Sequence, residues 1–202
     1  RASPARPVIV LPRLMRNAAL AATLTGLAAC APLPVTAPPT IAARSATDAF
    51  ELQGRLSASD GQQAASGRVE WQHIRGTDHF TLLSPLGQVV AQLDADALGA
   101  RLQTADGQDL SADTAETLLP RVLGVEVPVS RLGLWVQAAP GPEAEVRNRD
   151  SAGRPALVID QGWQIEYLDY AGEDTDSPPA RLDISRGDAR IRLVIDSWTT
   201  LP

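Results

Sequence analysis

Phe50, Leu52, Leu56 and Ala58 alternate with Glu51, Gln53, Arg55 and Ser57, which is the two-residue period of a strand with one dry and one wet face. In a helix successive side chains turn by about 100°, so these apolar residues would be scattered around it. The same period returns in Val69, Trp71 and His73, in Val89, Ala91 and Leu93, and in Leu98, Ala100 and Leu102. Later it recurs in Trp163, Ile165 and Tyr167, in Leu182 and Ile184, and in Ile191, Leu193 and Ile195. Asp60-Gly61, Ala105-Asp106-Gly107, Gly162 and Gly187 punctuate these runs as turns. The pattern predicts a mainly β protein of about ten or eleven strands, paired as antiparallel hairpins in sequence order.

One stretch breaks the period. Ala115, Leu118, Leu119, Val122 and Leu123 fall on a helical stripe, with Ser111 or Asp113 as candidate caps at its start and Gly124 at its end. Pro120 lies inside it, removes a backbone donor and predicts a kinked or split helix. After Pro128, Leu132, Trp135 and Val136 suggest a second short helix, stopped by Pro140-Gly141. One large antiparallel sheet tends to curl, and helices laid over its concave face would leave an apolar cavity between the layers.

The N-terminal region has a different character. Arg13 and Arg16 precede Asn17 to Ala29, a mildly apolar run too short for the roughly 20 residues of a bilayer-spanning helix. It ends in Leu27-Ala28-Ala29-Cys30, which resembles the lipobox of bacterial lipoprotein signals. Residues 1–29 are therefore expected to be a lipoprotein signal peptide, and Cys30 to carry diacylglycerol and an N-acyl chain. Ala31, rather than Asp, follows the cysteine, which by the enterobacterial sorting pattern implies the outer membrane. Pro32, Pro34, Pro38 and Pro39 mark residues 30–47 as a semi-rigid tether, with residues 48–202 as the folded domain.

Charge and residue types exclude several classes. All 24 acids but only 14 of the 18 arginines follow Cys30, leaving that part with a formal charge of −10. Such an acidic body argues against nucleic acid as a partner. Cys30 is the only cysteine, so neither a disulfide nor a cysteine metal cage is expected. The two histidines, His73 and His79, belong to no metal-spaced cluster, and neither a phosphate loop nor a nucleophile elbow is present. We expect no catalytic residues, no metal and no cofactor other than the covalent lipid.

Several landmarks occur together: Gly54-Arg55, Trp71, Ser84-Pro85-Leu86-Gly87, the helical stretch leading to Leu132 and Trp135, Gly162-Trp163, and Asp196-Ser197-Trp198. In this order, behind a lipobox, they resemble the LolA/LolB lipoprotein-localisation family, on its LolB side. The resemblance implies an unclosed β-barrel with a helical lid over an apolar cavity. It also implies a receptor, anchored in the outer membrane and facing the periplasm, that accepts lipoproteins from a LolA-like carrier, binds their acyl chains and inserts them into that membrane. The partners would be that carrier, the lipoprotein cargo and the bilayer, and the protein a monomer.

Pro85, Leu86 and Gly87 would then form a membrane insertion loop, since an aliphatic side chain held at a tight turn gains about 1.5 to 3 kcal/mol on entering an apolar phase; a leucine folding back over the sheet edge is the alternative. Trp71, Phe80, Leu82, Leu93, Trp135 and Trp163 are the candidates for lining the acyl-chain cavity, and ordinary core packing is the alternative for each. Trp198 is expected to close the sheet, and Arg55 to be a solvent-facing strand residue. A structural or assembly lipoprotein that binds a protein partner through its surface is the alternative function. An apolar cavity beneath the helices distinguishes the two.

Overall fold

The structure is a computed structural model and describes residues 44–202. The signal-peptide, Cys30 and most of the tether expectations lie outside the described residues.

Six strands, β1 (Ala49–Ser59), β2 (Ala64–Ile74), β3 (Thr77–Leu83), β4 (Val89–Asp96), β5 (Gly99–Thr104) and β6 (Asp109–Ala112), run as one meander. Three short helices follow, α1 (Ala115–Leu118), α2 (Pro120–Leu123) and α3 (Val129–Trp135). A second meander completes the chain: β7 (Glu145–Arg149), β8 (Pro155–Asp160), β9 (Trp163–Tyr170), β10 (Pro179–Arg186) and β11 (Ala189–Thr200). Pairing of β1 with β11 joins the two into a single eleven-stranded antiparallel sheet, ordered β6-β5-β4-β3-β2-β1-β11-β10-β9-β8-β7. The edge strands β6 and β7 do not pair with each other, so the barrel stays unclosed, and the helices connect one edge to the other.

The central seam explains two landmarks far apart in sequence. The β1–β11 register slips between Gln53 and Gly54, passing over Asp196. A Cβ at residue 54 would lie 2.3 Å from the Val194 carbonyl oxygen, so only glycine allows the backbones this close. The bulge turns Asp196 toward Arg55, whose Nη2 and Nε donate to its two carboxylate oxygens at 3.0 and 3.3 Å on the solvent face. On the other face Trp198 stacks on buried Phe50, ring centroids 4.6 Å apart.

Pro120 splits the predicted helix. Leu119 ends α1, Pro120 opens α2, and Gly124 caps α2 at a φ of 70° with its N–H bonded to the Pro120 carbonyl. The cap at the start differs from expectation: Thr114 occupies it in extended conformation without a side-chain hydrogen bond. Ser111 is unavailable because it belongs to β6, opposite Arg101. The helical period alone does not show where the preceding strand stops.

Candidate functional site

The inward face of the sheet tapers in side-chain size. Along β2 it presents Ala65 and Gly67 toward one end and Val69 and Trp71 toward the other, and along β1 Ala58 gives way to Leu56, Leu52 and Phe50. Helices α1–α3 and their connections lay Leu119, Leu123, Val127, Leu132 and Val136 over this face. Between the layers is an apolar cavity of about 50 Å³, floored by Leu52, Leu56, Val69, Trp71, Phe80 and Leu82, with Ile184, Ile191 and Leu193 from β10 and β11. A void of roughly 150 Å³ holds one benzene, so this one has room for only a few carbons.

A second apolar space of about 60 Å³ continues from the first and shares Leu56, Leu82 and Leu123 with it. This groove runs between Val122 of α2 and Ala65, Gly67, Leu83 and Val90 of the sheet. It ends where β3 and β4 meet their connecting hairpin. Ser84 and Gln88 close that hairpin, the Ser84 N–H donating to the Gln88 carbonyl at 2.7 Å and the Gly87 N–H to the Ser84 carbonyl at 2.8 Å. Gly87 takes a φ of 83°, which a side chain would strain. Leu86, at the tip, is 89% exposed, and Val89 and Val90 beside it are also exposed.

The six residues predicted for the cavity divide. Trp71, Phe80 and Leu82 line it, with Trp71 stacked on Phe80 at 4.7 Å. Leu93 pairs with Phe80 across β3 and β4 and is buried in the adjoining core. Trp135 and Trp163 pack against each other at 6.0 Å, fully buried, away from the cavity wall. His73 Nδ1 and Trp71 Nε1 both meet Asp78 Oδ1 at 2.7 Å, which satisfies the indole N–H and places His73 against Phe50.

Polar groups that the alternation does not single out fix α3. Asp160, wholly buried at the end of β8, accepts from Arg131 Nε and Nη2 at 3.0 and 2.5 Å and from Trp135 Nε1 at 2.8 Å. Hydrogen bonding to Asp160 raises the Arg131 guanidinium above its ordinary value. The Tyr167 hydroxyl, pushed up by burial, donates to the Trp135 carbonyl at 3.0 Å. Just past α3, Gln137 accepts from the Thr47 N–H at 2.8 Å and donates to the Thr47 and Gly133 carbonyls. An Asp between an apolar strand and a Gly turn carries no pattern of its own, so Asp160 reads as an ordinary turn residue until the fold brings α3 to it.

A wider groove of about 430 Å³ lies mainly among outward-facing side chains of β1, β2 and β9–β11. Its lining mixes Ser, Arg, Asp and Glu side chains with Ala58, Ala65, Ile184 and Ile191, and its Arg192 is held by Asp183 through two 2.7 Å bonds. Among the described residues no group of three or more His, Cys, Asp or Glu side chains could hold a metal ion.

Residues 48–198 match the family described as outer membrane lipoprotein LolB. The chain is similar to the outer-membrane lipoprotein LolB of Azoarcus sp. (strain BH72), 58% identical over 158 residues that cover 78% of this chain and 82% of that one. Its counterpart from Thiobacillus denitrificans is 42% identical over 94% of this chain and 99% of its own. A solved LolA superfamily protein from Nitrosomonas europaea superposes with a TM-score of 0.48 and 8% identity, covering 79% of this chain and 89% of the other.

Proposed function

Because the chain belongs to the outer-membrane lipoprotein LolB family, we propose that it is a lipoprotein receptor of the outer membrane that takes cargo from a LolA-like carrier and delivers it into the bilayer. The observation that carries this reading is an apolar void beneath the helices, joined by an apolar groove to the hairpin that exposes Leu86.

The cargo's chemistry requires such a site. A chain of about sixteen carbons costs on the order of 12 kcal/mol in water at 0.8 kcal/mol per methylene, so it must pass from one apolar environment to another. A receptor has to hold the chain more tightly than the donor does and less tightly than the membrane. The cavity supplies the first contact and Leu86 the last: its side chain enters the headgroup boundary and brings the groove mouth against the acyl phase.

Cys30, acylated, holds the protein at that membrane. The folded body leaves its N-terminal segment beside the Ala49–Ile74 pair, whereas Leu83 lies six residues further along β1, opposite Arg68 and Arg55. Six strand residues span roughly 20 Å, which is the distance along the sheet from the start of β1 to the level of the Leu86 hairpin.

The test is transfer itself. A carrier loaded with labelled lipoprotein is incubated with vesicles bearing this protein, and the label is followed to the vesicle fraction. Label moving only when the protein is present is the expected result. Label remaining on the carrier would overturn the reading in favour of a protein that binds partners by its surface.

A further inference from the structure

A cavity of about 50 Å³ cannot hold a long acyl chain, so part of the helical cover must yield when one binds, and the polar ties of the helices differ sharply. Helix α3 is fastened to the sheet by Arg131 and Trp135 on buried Asp160, and by Tyr167 on the Trp135 carbonyl. Gln137 adds two bonds to Thr47 just before β1. The segment Thr114–Gly124, which contains α1 and α2, has nothing comparable. Among the described residues its backbone bonds are internal, and its one side-chain tie outside itself is Glu116 accepting from the Ser130 N–H at 3.0 Å. That bond runs to α3, not to the sheet. Otherwise α1 and α2 rest on the sheet by apolar contact, which is non-directional and tolerates sliding.

The groove beside α2 lies on this unfastened side. Its floor carries Ala65 and Gly67, the smallest inward residues of β2, so there is space under α2 without disturbing a large side chain. At Gly67 a side chain is excluded outright, because a Cβ would stand 2.2 Å from the Leu83 carbonyl oxygen. Leu123 is shared by groove and cavity, and moving it with α2 would merge the two spaces. Gly124, in the left-handed region, and Pro120, where the backbone ladder is already broken, are the points at which α2 can turn.

We propose that an acyl chain enters between α2 and the β2–β4 strands, through the groove walled by Val122, Gly67 and Val90, and that α1–α2 swings out while α3 stays fixed. This rests on the acyl-binding reading above and names the route and the moving part within it. The same groove opens beside the Leu86 hairpin, so a chain would arrive and leave at the end that faces the bilayer.

The test uses the full chain and a palmitoylated peptide bearing a pyrene label. Wild-type protein should take up the probe, and uptake should raise amide hydrogen exchange across 114–124 while 129–137 stays protected. In a Val122→Cys/Val90→Cys variant joined by a cleavable bismaleimide, uptake should slow by roughly tenfold or more and recover on cleavage. Should the two thiols fail to join, Ala65→Phe, which fills the groove floor, is expected to slow uptake to a similar degree. Wild-type uptake with no slowing in the locked or filled variant, or exchange that rises in α3 instead, would overturn the route and leave acyl binding standing. No uptake by wild-type protein would remove acyl binding itself, and the route with it.

Discussion

Arg131 of α3 places two guanidinium nitrogens on the fully buried Asp160 carboxylate, at 3.0 and 2.5 Å, and the Trp135 indole shares the Oδ2 oxygen. The pair joins the cover to the β8–β9 corner at a point screened from solvent. Arg131 remains only partly covered, its side chain 18% exposed against none for Asp160. Removing the carboxylate would leave a cation and an indole N–H without acceptors beside the core. Asp160→Ala is expected to lower stability by about 3–5 kcal/mol, as for other broken buried pairs. Asp160→Asn, which keeps one acceptor, should cost less. Urea unfolding of the two variants checks the order.

The β1–β11 seam is equally intolerant. Gly54→Ala puts a methyl group 2.3 Å from the Val194 oxygen, and the neighbour is backbone, so the strands themselves must part. A loss of about 2–4 kcal/mol is expected, seen as a fall in Tm of roughly 5–15 °C for a domain of this size. The Arg55–Asp196 pair on the same seam is half exposed, and Arg55→Ala should move Tm little.

The two meanders are legible in the sequence because alternation at period two leaves little choice of face, as in Trp163, Ile165 and Tyr167, all buried in β9. Pro120 likewise announces the break between α1 and α2. The pairing of β1 with β11 is not legible, since the demand for glycine at 54 comes from a carbonyl 140 residues later. The cavity wall is half legible for a related reason. Trp71 and Trp135 have the same buried, apolar signature, and only their neighbours, Phe80 for one and Asp160 for the other, decide which of them borders empty space. The protruding Leu86 follows directly from a Pro-Leu-Gly turn, which gives the leucine no core to reach.

Two leucines protrude from opposite ends of β4, Leu86 in the β3–β4 hairpin and Leu98, 95% exposed, in the β4–β5 turn. Only the first sits on a hairpin whose flanking residues, Leu83 and Val90, line the groove. Leu86→Glu should leave stability within about 0.5 kcal/mol of wild type and leave acceptance of cargo intact, yet block its delivery into vesicles. Leu98→Glu should be silent in both assays. Normal delivery by Leu86→Glu, or an equal defect in Leu98→Glu, would deny the hairpin a special part in insertion.

Glu116 gives the unfastened part of the cover a dependence on pH. Partial burial pushes its carboxyl upward, but the Ser130 N–H, its own backbone N–H and the Ser130 and Thr114 side chains outweigh this and leave it below the ordinary 4.5. A carboxyl depressed in the folded state stabilises that state when ionised. Its contribution is therefore complete above pH 4.5 and disappears as the pH falls through the lower folded value. Since that bond is the side-chain tie between α1 and α3, acidification should loosen 114–124 before it affects α3. Amide exchange, corrected for its intrinsic pH dependence, should rise by roughly threefold in 114–124 between pH 6 and the acid side of this transition. Asp183, depressed by Arg192, and Asp150, whose burial is outweighed by Arg154, are also held below the ordinary carboxylate range, but they lie away from this segment, in β10 and in the β7–β8 turn. Glu116→Gln isolates the effect: the variant should exchange faster at pH 6 and respond less to acid in this segment, while the sheet responds as in wild type. An unchanged acid response in 114–124 would show that the Ser130 bond does not hold α1.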